Sequence, residues 1–136
     1  MKTYKAILVA VLCSVSLEIM AQRNSEIQSS IQSGKSVYEQ NCLACHQADG
    51  SGVPNLTPPL IKTSFVMGDK TGLIKILLNG LKDVEVNGES YDNPMPAFGF
   101  LSDKDIADVL TYVRSNFSNR ATLVEKEDVE NARKSK

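Results

Sequence analysis

Histidine occurs once in the 136 residues, at His46, and cysteine three times, at Cys13, Cys42 and Cys45. A zinc site takes about four ligands, so one histidine and one close cysteine pair supply too few nitrogen and sulfur donors. An excess of charge of one sign is also lacking: fifteen basic side chains stand against sixteen acidic ones, for a formal charge of −1. No basic stripe interleaved with aromatics runs along the chain, and a nucleic-acid partner is not expected. Long apolar runs are missing too. The stretch Ala6–Leu17 is twelve residues, short of the ~20 that a membrane-crossing helix needs.

That run follows Lys2 and Lys5 and ends at Glu18, the layout of a secretory signal peptide. Cleavage after Ala21, with Ile19 and Ala21 in the pocket positions, leaves a mature chain from Gln22 to Lys136 with thirteen basic and fifteen acidic groups and no transmembrane anchor. An uncleaved anchor and a lipoprotein acylated on Cys13 are the alternatives, although Leu12 is bulky for a lipoprotein cleavage site. A composition of 42% apolar and 23% charged residues fits one ordinary globular domain. The expected organisation is a signal peptide at 1–21, an N-terminal lead at 22–32, a compact domain at 33–117 and a polar C-terminal extension at 118–136.

Export usually pairs two remaining cysteines in a disulfide, yet Cys42-Leu43-Ala44-Cys45-His46 has the C-x-x-C-H spacing of haem attachment. Two thiols three positions apart on a helical turn can reach two vinyl groups on one porphyrin edge, while the adjacent imidazole binds iron from below. Cys42 and Cys45 would form the thioethers and His46 the proximal bond. Competing readings are a thioredoxin-like redox pair, which wants a strand before the motif and a βαβ setting, a zinc site, and a plain disulfide that leaves the following histidine as coincidence. With one histidine, bis-histidine ligation is impossible, and the sixth iron position falls to methionine, a weaker ligand or nothing. Met95, between Pro94 and Pro96, sits in a stiff loop that can present a thioether. Met67, in the apolar patch Phe65-Val66-Met67, suits the filling of a core gap.

Wherever a period is readable it is helical. Ile106, Val109, Leu110, Val113 and Phe117 mark one buried face of a helix over 102–117, with Ser102 as its cap. Leu73, Ile74, Leu77 and Leu78 mark a second over 69–79, stopped by Gly80. A third spans about 33–44 and leads into the haem motif. Asp49-Gly50-Ser51-Gly52 and Pro54 to Pro59 are loop chemistry, and Val86-Asn87-Gly88 signals a tight turn.

These pieces resemble, in order, the class I (mitochondrial-like) cytochrome c family over 33–117: Gly34 and Tyr38, Cys42-x-x-Cys45-His46, Gly50-x-Gly52, Pro58-Pro59-Leu60, Met95-Pro96 and Leu101-Ser102-Asp103. The resemblance implies an all-α cytochrome c fold, three main helices plus loops wrapped around one covalent haem c. It implies that Gly34 permits a close crossing of the first and last helices, with Tyr38 meeting Val109 and Tyr112, and that the Pro59 carbonyl accepts a hydrogen bond from the free ring nitrogen of His46. Many relatives place glycine where Gln47 stands. Relatives that serve periplasmic dehydrogenases often add a short final helix, and Val124 to Val129 followed by Arg133 looks similar, whereas composition alone favours a solvated, frayed tail after Arg120.

The implied function is a periplasmic electron carrier, passing single electrons from a dehydrogenase or quinol-oxidising cytochrome complex to an oxidase or reductase. A haem enzyme or gas sensor with an open sixth position is the second reading, weakened by the lack of a distal histidine. A permanent cytochrome subunit of a larger dehydrogenase is the third.

Overall fold

The computed structural model describes residues 2–83 and 85–135, with side-chain surroundings from residue 18 onward. The side chains of the Ala6–Leu17 run and Cys13 therefore lie outside the described set. No helix among the described residues is long and apolar enough to cross a membrane.

Helix α1 (Lys2–Asn41) runs through the expected leader, the lead and most of the third predicted helix. No proline or glycine precedes Gly34 to stop it. The Cys42 amide bonds the Tyr38 carbonyl at 2.8 Å and the His46 amide bonds the Cys42 carbonyl at 2.9 Å, so α2 (Leu43–His46) continues the helical bonding into the motif. A single turn, α3 (Ser64–Met67), is capped by Thr63. Next comes α4 (Lys70–Asn79), where the Asp69 side chain accepts from the Gly72 amide and Gly80 ends the helix at φ 81°. Ser102 caps α5 (Asp103–Ser115) through the Asp105 amide, an interaction worth about 1 kcal/mol. That helix stops two residues short of the expected end because Phe117 and Ser118 both turn to positive φ.

Helices α1 and α5 make the main packing contact. An added Cβ on Gly34 would lie 2.0 Å from the Asp108 carbonyl oxygen and 2.9 Å from Tyr112 Cβ, so this pair can touch only where one partner lacks a side chain. Tyr38 fills the crossing, its ring 5.4 Å from Tyr112 and 5.5 Å from Phe117. Around it Val66, Ile74, Ile106, Val109 and Leu110 are buried, each contributing about 1.5–3 kcal/mol. No strand of more than a single bridge occurs among the described residues, and the predicted tight turn is closed by Val86 opposite Glu89.

The short final helix that the resemblance implied after Arg120 is present, in place of the frayed tail that composition favoured: α6 (Lys126–Lys134) is begun by a capping box between Glu125 and Asp128, with Val129 and Ala132 buried on it and Val124 buried just before it. These small apolar side chains pack against α4 and α5. Met67, expected to fill a core gap, is 37% exposed, since its helical neighbour Val66 takes the inward position.

Gln47 stands at φ 64°, ψ 167°, a region that essentially only glycine occupies without strain of about 1–3 kcal/mol. Its carbonyl accepts the Tyr38 hydroxyl at 2.7 Å. Gln47→Gly should therefore stabilise the fold by about 1 kcal/mol after the entropy of the added glycine. Gly34→Ala should cost at least about 2 kcal/mol. Thermal unfolding of both variants checks the opposite signs.

Candidate functional site

One cleft gathers the sequence-selected ligands. Cys42, Cys45, His46, Pro58, Leu81, Phe98 and Met95 line its outer part, which encloses about 760 Å³ including space open to solvent. Its inner part, about 650 Å³, is walled by apolar side chains such as Leu77, Val109 and Leu110 and shares Cys42, His46 and Met95 with the outer part. Leu81 and Val86 also border both parts.

The motif reaches this cleft as the continuation of α1. Cys42 is half-buried, Cys45 exposed, and both are free thiols. Burial pushes the Cys42 thiol up to about 11, and Cys45 beside it adds to the rise. A thiol so hard to ionise is the opposite of the low-pKa nucleophile of a thioredoxin-like pair. The zinc alternative finds no support either: among the described residues no group of three or more His, Cys, Asp or Glu side chains could hold a metal ion.

His46 is buried to 8% exposure, and its Nδ1 lies 3.1 Å from the Pro58 carbonyl oxygen. This corrects the expectation that Pro59 supplies the acceptor. Tight bonds bracket the two prolines, from the Val53 amide to the Thr57 carbonyl on one side and from the Leu60 amide to the Gly50 carbonyl on the other. Successive carbonyls of an extended Pro-Pro segment point different ways, and the one aimed at the ring belongs to Pro58. Pro59 instead lines the apolar inner wall. A carbonyl only accepts, so Nδ1 carries the hydrogen in this bond and Nε2 keeps its lone pair. Burial lowers the imidazole below its ordinary value, against an opposing pull from Pro58. The outcome is a neutral imidazole with one free basic nitrogen.

Sequence reading missed Asn119, which holds this loop. Its amide nitrogen donates to the Leu60 carbonyl at 3.0 Å and to the Val113 carbonyl at 2.8 Å, while its Oδ1 accepts the Lys62 amide at 2.7 Å. A lone Asn in a polar stretch carries no signal of such a role.

Met95 comes from a different element. Its amide and carbonyl pair with those of Leu81 at 2.8 and 3.0 Å, and the flanking prolines keep the loop extended. An added Cβ on Gly80 would come within 2.6 Å of the Met95 carbonyl, so glycine both ends α4 and admits the loop. The thioether thus shares the cleft with the imidazole, and Met67 does not line it. A slot walled by apolar side chains, with two thiols, an imidazole and a thioether on its lining, fits a flat apolar macrocycle carrying iron.

Comparison with known proteins agrees. Residues 31–117 match the family model described as cytochrome c. The chain is 40% identical over 108 residues to the gluconate 2-dehydrogenase cytochrome c subunit of Pantoea cypripedii, covering 76% of this chain and 24% of that one. It is 38% identical to cytochrome c-552 of Thermus thermophilus, covering 59% of this chain and 64% of the other. It is 35% identical to cytochrome c6 of Cyanidium caldarium, covering 64% and 72%. The chain therefore spans about a quarter of the length of the dehydrogenase subunit and somewhat under two thirds of the Thermus protein. With its helices, its cleft and its matched segment in agreement, the chain belongs to the cytochrome c family of electron-transfer proteins.

Proposed function

We propose that this chain is an exported one-electron carrier with a single haem c, joined through thioethers to Cys42 and Cys45 and held axially by His46 and Met95. The observation that carries this reading is the shared cleft: the two thiols, the free imidazole nitrogen and the only methionine on the lining converge there among the described residues. When bound, the haem supplies a ferric/ferrous couple.

The chain's own residues do the rest. Pro58 fixes the ring plane of His46 and keeps the proton on Nδ1, leaving Nε2 to ligate. The Leu81–Met95 pairing holds the thioether at a set depth. Leu77, Val109 and Leu110 make this part of the lining apolar, and low polarity together with a sulfur ligand favours the ferrous state, raising the potential. Lys82, Tyr91 and Asn93 also line the cleft, on the side from which a partner would approach.

Donor and acceptor are proposed as redox proteins of the dehydrogenase, quinol-oxidising, oxidase or reductase classes. A second reading, a permanent cytochrome subunit of a larger dehydrogenase, is favoured by the likeness to a relative that is itself such a subunit. Co-purification with a stoichiometric large subunit supports it, and a solitary monomer counts against it.

Met95→Ala should lower the reduction potential by a substantial part of the ~0.8 V that axial ligands span and let CO bind the ferrous protein. An unchanged potential with no CO response would sink Met95 as the ligand. Residues 1–21 are proposed as a removed signal peptide, so the exported protein should have a mass of residues 22–136 plus one haem. A mass that includes the leader, or that lacks the haem after maturation by the attachment machinery, refutes the corresponding part.

A further inference from the structure

Helix α6 lies outside the segment matched to the family, yet it reaches the loop that carries Met95. Its last turn bears Arg133, and all three guanidinium nitrogens are engaged. Nε donates to Asp103 Oδ1 at 2.6 Å, Nη1 to the Gly99 carbonyl at 3.0 Å and Nη2 to the Leu101 carbonyl at 2.7 Å. Gly99 and Leu101 belong to the same short segment as Met95. That segment is pinned at its start by the Leu81 pairing and in its middle by the Phe98 amide, which bonds the Leu77 carbonyl at 2.7 Å. Its far end is held to α5 and α6 by Arg133.

The helix bearing this arginine is itself fixed independently. Lys70 on α4 bonds Asp128 at 2.6 Å, Val129 is fully buried, and Thr111 Oγ1 exchanges hydrogen bonds with the Val124 backbone at 3.0 Å. A planar fork with donors in fixed directions can hold two carbonyls and a carboxylate at once, which a lysine ammonium at the same place cannot match in geometry. The contacts are charge-assisted, the stronger kind of hydrogen bond.

We propose that Arg133 is a positioning residue for the Met95 thioether: by clamping the Gly99–Leu101 end of the loop to the C-terminal helix, it restrains the loop movement through which methionine would leave the iron. This rests on the reading of Met95 as axial ligand. The C-terminal extension then has a role in the redox site, although it lines no part of the cleft.

The test uses the full-length holoprotein and compares wild type, Arg133→Ala, Arg133→Lys and Lys70→Ala. The last breaks a separate polar tether of α6 without touching the Met95 loop. Two quantities are read: the rate at which cyanide displaces the ferric sulfur ligand, and hydrogen exchange of peptides covering 95–101. Loss of the charge-assisted bonds should accelerate cyanide binding in Arg133→Ala by about tenfold, with faster exchange in 95–101 but not in α4. Arg133→Lys should give only partial rescue, and Lys70→Ala should bind cyanide at the wild-type rate even if it melts earlier. Equal cyanide rates in Arg133→Ala and wild type, or equal acceleration in Lys70→Ala, overturn the proposal while leaving Met95 as ligand. A wild-type ferrous protein that binds CO directly overturns the ligand reading itself, and the proposal with it.

Discussion

The close approach of α1 to α5 at Gly34 and Asp108 is the constraint on which the site depends. The haem motif begins two turns beyond that crossing on the same continuous helical path, so the angle and depth of the contact decide where Cys42, Cys45 and His46 point. The Asp108 side chain reinforces it, accepting the Ser30 hydroxyl at 2.7 Å while paired to Lys104. Tyr38, one turn after Gly34, converts the crossing into a packed joint, and its hydroxyl bonds the Gln47 carbonyl just past the motif. One interhelical contact thereby fixes both ends of the five-residue attachment segment, and a packed interior allows little drift around it.

The two proposed iron ligands are held by different physics. His46 sits at the end of helical hydrogen bonding, with its ring aligned by Pro58 and the proline loop tied down by Gly50 and Asn119. Met95 lies in an irregular loop between two prolines, tied by its pairing with Leu81 and by separate backbone bonds at Asp92, Asn93 and Phe98. Stability is not uniform in such an arrangement, and the loop belongs to the more easily opened part of the fold. The proposed histidine ligand is thus anchored by helical bonding and the proposed methionine ligand by loop bonding, a difference in backbone support that exists before any property of the metal is considered. Clamping the far side of the methionine loop then has more effect on the site than a further contact to the histidine would.

Much of this was legible in the residues because it is local. Ser102 caps its helix where the pattern put it, since a cap needs only a side chain three residues from the amide it serves, and the second helix begins beside Asp69 as its period indicated. The attachment turn and the proline-flanked methionine are equally local. What escaped depends on distant partners. Which of Pro58 and Pro59 faces the imidazole is a matter of one peptide plane, set by bonds from Gly50 and Val53. Met67 and Val66 are adjacent and both apolar, and only the position of α3 on the core decides that Val66 turns inward. Arg114, a cation in the last turn of α5, is buried, with its fork divided among the carbonyls of Val66, Gly68 and Thr122 and the Thr122 hydroxyl.

Arg114 also shows why the chain after residue 117 belongs to the domain in a physical sense, although the family match ends there. Burying a guanidinium is costly unless its donors find partners, and two of those bonds come from Thr122. Thr111, buried on the same helix, finds its partner in the Val124 backbone, and Asn119 closes the loop behind His46. The outer face of α5 therefore carries polar groups that residues 119–124 both cover and pair. Once those residues are drawn in, the chain has been delivered to the edge of α4 and α5, where Val129 and Ala132 need only modest apolar area to dock the final helix. The polar composition that makes this segment look like a tail reflects its work, which is to satisfy buried donors and acceptors rather than to build a second core.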